Sequence, residues 1–482
     1  MGLLGILVAL GLLIWLAYRG WSVLLLAPAS AVLAAGLAGE PLLAHWTQTF
    51  MGSAAHFTMQ FFPIFLLGAL FGKLMEDSGS VSSIAKFMTE RLGPKRSVLA
   101  VVLAGAIVTY GGVSLFVAFF VLAPMAHELF RAAGIPKRLM PAAIALGTST
   151  FTMSALPGTP AIQNAIPMPF FGTTPFAAPG LGITASVVML GFGLCWLARA
   201  EAKARSKGEG YGDASPTRDA AEDLLVRERA TTAGTFDPTE VSRGHQSAAG
   251  PPTTLAALPL VVVVMVNLVM SLFVLPRMDA SFLADKAWGA TSLAAIGGVW
   301  AVVTSLAAAI VVLVAVNYSR LPALRASMDA GANASVLPVL SVASLVGFGS
   351  VVAALPAFAM VRNWVLSIEG GPLVSLAVAT NLLASLTGSA SGGLTIALDA
   401  LGATYLRIAT EHGIDPGLLH RVAVIGAGTL DSLPHNGAVV TLLAVCNSTH
   451  RESYFDIVMV SIVGGLLALV TVIGLGTVFG SF

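Results

Sequence analysis

The sequence predicts an all-α polytopic membrane protein made of two related halves, and three observations predict it. Charged residues are 10% of the 482 and hydrophobic residues 56%, whereas a soluble domain carries about 25% charged residues. Mean hydropathy is +0.87. The apolar residues gather in runs long enough to span a bilayer as helices, which takes about 20 residues. Transmembrane β-strands would instead read as alternating stretches of about ten. A net charge of +1 offers nothing to a nucleic acid, so the bilayer and small solutes are the expected partners.

In chain order the apolar runs are 2–18, 22–39, 59–75, 97–130, 139–156, 176–198, 255–276, 288–316, 335–360, 371–410, 418–446 and 454–479, about ten to twelve candidate spans. The first is read as a retained helix rather than a cleaved leader, because no basic residue precedes it and Arg19 follows it. Between 75 and 96, Val81, Ile84, Phe87 and Met88 recur at helical spacing opposite Lys86 and Glu90, which predicts an interfacial amphipathic helix. Residues 200–253 are rich in Ala, Gly, Ser, Thr and Pro with both charge signs mixed, the composition of a solvated, unstructured linker. The cluster "RAEAKARSK" (Arg199 to Lys207) follows a span directly and favours the cytoplasmic side. The chain therefore divides into a first membrane unit (1–199), a linker (200–253) and a second membrane unit (254–482). Cys195 and Cys446 lie inside apolar runs without metal-ligand spacing, and the expectation for both is a buried apolar role.

The halves resemble each other. "AGIPKRLMPAAIALGTSTFTMSALPGTPA" (Ala133 to Ala161) and "HGIDPGLLHRVAVIGAGTLDSLPHNGA" (His412 to Ala438) align with one two-residue gap. Gly147 meets Gly426, Thr150 meets Thr429, and Leu156-Pro157 meets Leu433-Pro434. Upstream, "YGGVSLFVAF" (Tyr110 to Phe119) parallels "SGGLTIALDA" (Ser391 to Ala400). Repeats of this kind in an apolar chain are a transporter signature, with the site between the repeats.

Each half carries two polar interruptions. "TYGGVS" (Thr109 to Ser114) divides a run into pieces too short to span comfortably, which predicts a re-entrant hairpin with its tip near 110–114. "LTGSASGG" (Leu386 to Gly393) is its counterpart, with a tip near 387–393. Gly and Ser at a tip let the backbone turn and expose N–H groups that favour an anion. "SALPGTPAIQN" (Ser154 to Asn164) and "DSLPHNGAVV" (Asp431 to Val440) place prolines inside apolar sequence. A proline there costs a helix about 3 kcal/mol, so both stretches should be unwound. Unwound backbone at bilayer depth survives where protein buries it or water reaches it.

The expected solute contacts follow from these four stretches. The first half offers Ser114, Thr152, Ser154, Gly158, Thr159 and Asn164, and the second offers Thr387, Ser389, Ser391, Ser432, His435 and Asn436. Asp399, Asp431 and His435 are ionisable groups inside apolar sequence, functional by default at membrane depth and suited to ion coupling. Asp431 and His435 stand four apart and would share a helix face if the helix continued through Pro434. The sequence contains no GxSxG, HExxH or GxxxxGK[ST] motif, so hydrolysis and ATP-driven transport have no visible machinery. No metal or organic cofactor is expected.

Together with "LGALFGKLMEDSG" (Leu67 to Gly79), "RLGPKR", "LPGTPAI" (Leu156 to Ile162) and "TGSAS" (Thr387 to Ser391), these stretches resemble the gluconate permease family of the ion transporter superfamily. The resemblance covers most of the chain outside the linker. It implies two inverted repeats, each with a re-entrant hairpin and a broken helix, in a homodimer with scaffold and moving transport domains, residues 2–39 and 255–316 contributing to the scaffold. It implies symport of a small organic acid anion by an elevator mechanism in a bacterial inner membrane. Gluconate carriers have a first break richer in His and Pro, and a small residue where Asp399 stands, so the solute stays open within the family, from gluconate to a hydroxy acid such as 3-hydroxybutyrate. Protons are the expected coupling ion, with sodium the alternative and an ion channel the remaining one.

Overall fold

The computed structural model describes residues 2–19, 21–212, 247, 250–434 and 436–482. His435 and the linker from 213 to 246 lie outside the described residues. Regular structure among the described residues is helical throughout. In chain order the helices are α1 (Gly2–Tyr18), α2 (Val23–Ala38), α3 (Leu42–Asp77), α4 (Ser80–Leu92), α5 (Ser97–Tyr110), α6 (Leu115–Ala133), α7 (Met140–Thr148), α8 (Pro179–Ser206) and α9 (Thr253–Arg277). They continue with α10 (Leu293–Arg320), α11 (Leu324–Ala354), α12 (Phe358–Leu366), α13 (Pro372–Thr387), α14 (Ala390–His412), α15 (Pro416–Thr429), α16 (Gly437–Val445) and α17 (His450–Phe479).

Seven of these are long and apolar enough to cross a membrane: α3, α6, α8, α9, α10, α11 and α17. The runs counted in the sequence exceed this number because α1 and α2 are too short to qualify and several other apolar runs are not single helices. Run 97–130 folds back at Gly111–Ser114 into α5 and α6, and run 371–410 folds back at Gly388 into α13 and α14. Runs 139–156 and 418–446 stop at mid-depth, where α7 and α15 end at Thr148 and Thr429. Apolarity counts residues and is blind to a turn that reverses the chain inside the hydrocarbon.

The amphipathic helix is α4, with Val81 and Ile84 buried, although Phe87 is exposed. It meets the segment from Pro94 to Tyr110 at 103°, a corner made by Gly93 at φ +67°. Cys446 is buried as expected, whereas Cys195 is exposed on the outer face of α8, where a thiol is apolar enough to face lipid. Most of the core is continuous, but α2, with α1 against it, packs on α11 through a separate cluster that includes Leu13, Leu26, Phe348 and Val351.

The two ends of the linker return to one end of the molecule. After α8, Glu209 makes a bidentate pair with Arg138 at 2.7 and 3.2 Å, and Arg138 also donates to Asp456 at the start of α17, 2.9 Å away. Tyr211 Oη meets His127 Nδ1 at 2.5 Å, beside the base of α6. On the far side of the linker, Ser247 N–H donates to Asp77 O at the end of α3, 2.8 Å away. The Arg138 hydrogen bonds hold the Glu209 carboxyl below its ordinary range. A depressed carboxyl gives the latch its full contribution above the ordinary unfolded value and loses it as pH falls through the lower folded-state value. Limited proteolysis across residues 207–212 should therefore find this strap protected at neutral pH and increasingly cut below about pH 4, and Glu209→Gln should be cut at neutral pH.

Helix directions follow from these anchors. The hairpin α5–α6 begins and ends at the linker end, next to Arg138 and Asp456. At the opposite end Gly180 N–H, starting α8, donates to Phe482 O just past α17 at 2.7 Å. The hairpin α13–α14 has its base at that opposite end, so the two hairpins enter the protein from opposite ends.

Candidate functional site

The four interruptions meet. A cavity of about 330 Å³ is lined by both hairpin tips, both breaks, and the faces of α3 and α11 that lie between them. Each tip is a glycine turn: Gly112 at φ +98° and Gly388 at φ +63°, conformations in which a Cβ would be strained. Behind each tip, a glycine lets the broken helix press on the first leg of its hairpin. A Cβ on Gly147 would lie 2.4 Å from Val102 O on α5, and one on Gly426 would lie 2.4 Å from Thr380 Oγ1 on α13. These two glycines align between the halves. The aligned threonines also match, since Thr150 and Thr429 each donate to the carbonyl four residues back at 2.7 Å.

Four helix beginnings contribute to the cavity wall. Residues Ser114 to Phe116 start α6, Ser389 to Ser391 start α14, Asn436 to Ala438 start α16, and Ala161 to Gln163 start the short helix Ile162–Ala165. The first N–H groups of a helix have no partner inside it, and the helix dipole adds partial positive charge there. Several helix N-termini converging on one space attract an anion without a cationic side chain. Among the described lining residues the one ionisable side chain is that of Asp431.

Asp431 is held by the second break and the second tip together. Its Oδ1 accepts from Asn436 Nδ2, and its carboxylate accepts from the backbone N–H of Ala390, the first residue of α14. Asn436 Nδ2 also donates to Gly388 O at 2.8 Å, while its Oδ1 caps α16 by accepting from Ala438 N–H at 2.7 Å. Asp431 sits in a 3-10 turn and Leu433 is extended at ψ 158°. The helix does not continue through Pro434, so the face that Asp431 and His435 would share at four-residue spacing does not form.

Of the expected contacts, Ser114, Thr152, Thr387, Ser389, Ser391, Asp431 and Asn436 line the cavity. Ser154, Gly158, Thr159, Asn164 and Ser432 lie behind the wall, and their groups are used within the protein. Ser154 Oγ donates to Thr150 O at 3.0 Å. Gly158 is pinned from both sides, its N–H to Pro175 O at 2.8 Å and its carbonyl from Asn267 Nδ2 at 2.9 Å. Ser432 O accepts from Tyr454 at 3.1 Å. Asn164 is fully buried, and its Nδ2 donates to Thr159 O and Pro175 O, both at 3.0 Å. Its Oδ1 accepts from His420 Nε2 at 3.1 Å. Asp399 stands elsewhere: it accepts from Ser350 Oγ at 2.5 Å and lines a separate 150 Å³ pocket with His56, Gln60 and Thr395.

The position of Asn164 changes what its replacement does. As a solute contact, Asn164 would be replaceable by Leu with loss of binding and an intact fold. In the structure that replacement would strand the Thr159 carbonyl, an imidazole N–H and part of a guanidinium, each costing about 1–3 kcal/mol, and leave Pro175 O with Gly158 N–H alone. The expected result is a protein destabilised by roughly 3 kcal/mol or more, seen as a lower thermal midpoint in detergent with or without solute.

Sequence reasoning missed Gln163, Ser335 and Ser341 in the cavity wall, which Thr148 of "GTSTFT" (Gly147 to Thr152) also lines. Ser341 Oγ is buried there without a hydrogen-bond partner. It also passed over His420 and Arg421, both fully buried on α15. The signal was present, as "LLHRVAV" (Leu418 to Val424) puts two ionisable residues inside an apolar run.

The chain is similar to known proteins. Residues 1–172 match the GntP family permease pattern. An uncharacterised transporter of Bacillus subtilis, YxjC, is 40% identical over 470 residues, 96% of either chain. The high-affinity gluconate transporter of Escherichia coli is 38% identical over 106 residues, 21% of this chain and 23% of that one. Two solved structures share the fold at low identity. The YdaH transporter of Alcanivorax borkumensis gives a TM-score of 0.54 at 16% identity, over 91% of this chain and 89% of that one. MtrF of Neisseria gonorrhoeae, described as belonging to a class of antimetabolite efflux pumps, gives 0.54 at 14% identity, over 91% and 85%. The polytopic helical fold, the hairpin tips and breaks gathered at one cavity, and this near full-length relative together make the chain a member of the GntP permease family.

Proposed function

We propose that this permease is a secondary symporter that carries a small organic acid anion, a hydroxy-monocarboxylate such as gluconate or 3-hydroxybutyrate, together with protons. The observation that carries the reading is a cavity walled by helix N-termini and containing a single described carboxylate, Asp431. The gluconate carrier among its relatives supports the solute class.

Coupling follows from competition for donors. Ala390 N–H and Asn436 Nδ2 are engaged by the Asp431 carboxylate. A solute carboxylate needs the same donors, and two carboxylates sharing them repel. A proton on Asp431 removes its charge and releases the donors to the solute. The anion then crosses with a proton and not without one. Sodium is the second reading, favoured by the unpartnered Ser341 hydroxyl among the cavity's other hydroxyls.

The opposite entry of the two hairpins and the matched packing of Gly147 and Gly426 support an inverted repeat. The separate α1–α2 core supports a scaffold role for residues 2–39. Lys95, Arg96, Lys137, Arg138, Lys203 and Arg205 cluster at the linker end, which supports a cytoplasmic linker in a bacterial inner membrane. The working unit is a homodimer whose hairpins and breaks shift together against the scaffold.

The test is uptake into liposomes containing purified protein, with an imposed pH gradient in sodium-free buffer and labelled gluconate and 3-hydroxybutyrate. Accumulation driven by pH alone is the expected result. Uptake that requires sodium and ignores pH would overturn proton coupling.

A further inference from the structure

Arg421 is buried without an opposite charge. Its Nη2 donates to Ala177 O at 2.6 Å, and its Nη1 donates to Ser154 O at 3.3 Å and Asn164 Oδ1 at 3.4 Å. Every one of these acceptors is neutral, and Nε has none. A guanidinium does not give up its proton in a protein, and an uncompensated buried charge is costly. Space for it is nonetheless built into the fold: a Cβ on Gly182 would lie 3.2 Å from Arg421 Nε and 2.5 Å from Ala155 O. His420 next to it offers no counter-charge. Asn164 Nδ2 faces two carbonyls, so Oδ1 is the acceptor and His420 Nε2 carries the proton.

Arg421 lies directly behind the cavity wall. Ser154 follows the lining residues Thr152 and Met153, and Asn164 follows Ile162 and Gln163. We propose that Arg421 is the fixed cation of the solute site, a positioning residue that acts through the first break and makes the site selective for monoanions. The proposal rests on the organic-anion reading above. With the cavity empty, Arg421 and the Asp431 carboxylate cancel. A monoanion adds one negative charge, and one proton on Asp431 restores balance. A dianion leaves a charge that nothing in the wall compensates.

The other groups around Asp431 do not alter this sum. α13 and the Val458–Val463 segment of α17, which pack on its turn, carry no ionisable side chain. α15 adds only His420 and Arg421 at this depth, and the nearby Tyr454 is neutral at physiological pH. On α14, Asp399 faces its own pocket, and Arg407, Glu411 and His412 lie at the far end. His435 follows in the same segment, and the sum holds where its imidazole is neutral.

The experiment compares wild type, Arg421→Lys and Arg421→Gln in liposomes, measuring KM and kcat for labelled gluconate and 3-hydroxybutyrate, with unlabelled succinate as competitor. Arg421→Gln should raise KM about tenfold or more with little change in kcat, the order expected for losing one partly screened charge behind the cavity wall. Arg421→Lys should stay within about threefold of wild type, because it keeps the charge. An unchanged KM in Arg421→Gln overturns the proposal. So does an Arg421→Lys protein as impaired and as thermally weakened as Arg421→Gln, which would make the residue a strut. Should Arg421→Gln not fold, wild type decides: succinate competing as well as gluconate overturns the proposal, and succinate failing to compete supports it. A wild type that takes up neither monocarboxylate and is driven by neither proton nor sodium would instead overturn the reading of the site itself.

Discussion

Asp431→Asn should convert an accumulating transporter into an exchanger. A gradient of one pH unit stores about 1.4 kcal/mol per proton, so a carrier that moves one proton with each anion reaches an accumulation of roughly tenfold. The asparagine cannot be protonated, yet its carbonyl can still accept from Ala390 N–H and Asn436 Nδ2, which bind the Asp431 carboxylate. Counterflow of labelled solute should therefore persist while pH-driven accumulation falls to the passive level. Accumulation at the wild-type level in this variant would move the proton site away from Asp431.

Gly393→Ala should cost the most stability of any single methyl group added to the hairpins. A Cβ at Gly393 would lie 2.3 Å from both N and Cα of Ala384. Those atoms are backbone of the facing leg, so no side chain can swing away and α13 must part from α14. Overpacking a core costs about 1–3 kcal/mol, and parting two helices beside the Gly388 turn also moves Ser389 and Ala390 out of the cavity wall. Transport should be lost and the thermal midpoint lowered. Gly191→Ala is the control, because a Cβ there meets nothing within 4 Å and alanine favours helix. Equal midpoints for the two variants would show that the hairpin legs are not in the tight contact described.

Much of the site was legible because its signals are local and strong. Gly and Ser at a tip, or Pro inside an apolar run, are costly in a plain spanning helix, and so they mark where one does not form. This is why Ser114, Thr387, Ser389, Ser391, Asp431 and Asn436 could be assigned from composition and position, and why they do meet in one cavity. The side chains that pass behind the wall were not legible. Asn164 reads as a solute contact because it is polar and sits in a break, but its orientation depends on Pro175, His420 and Arg421, up to 257 residues away. Arg421 was overlooked for the converse reason: seven residues of "LLHRVAV" average as apolar, and an average does not register one buried charge.

The physical division is between what a peptide segment settles within its own few turns and what needs a distant surface. Membrane insertion, the helical class, the two hairpin turns and the two breaks are set by local terms: hydrocarbon transfer, the glycine turns at Gly112 and Gly388, and the hydrogen bonds that proline removes. Those terms are readable from neighbouring residues alone. Which face of each break looks into the cavity was decided by packing between segments distant in the chain: within each half Gly147 presses on α5 and Gly426 on α13, and across the halves Asn164 meets His420 and Arg421. The same packing separated Asp399 from Asp431, although both are carboxylates in apolar sequence, because Asp399 lies ten residues along α14 from the Ser389 cap and turns toward Ser350 rather than toward the tip. A charge in the bilayer can be foreseen from composition, but its partner is a matter of three-dimensional proximity, which no single segment encodes.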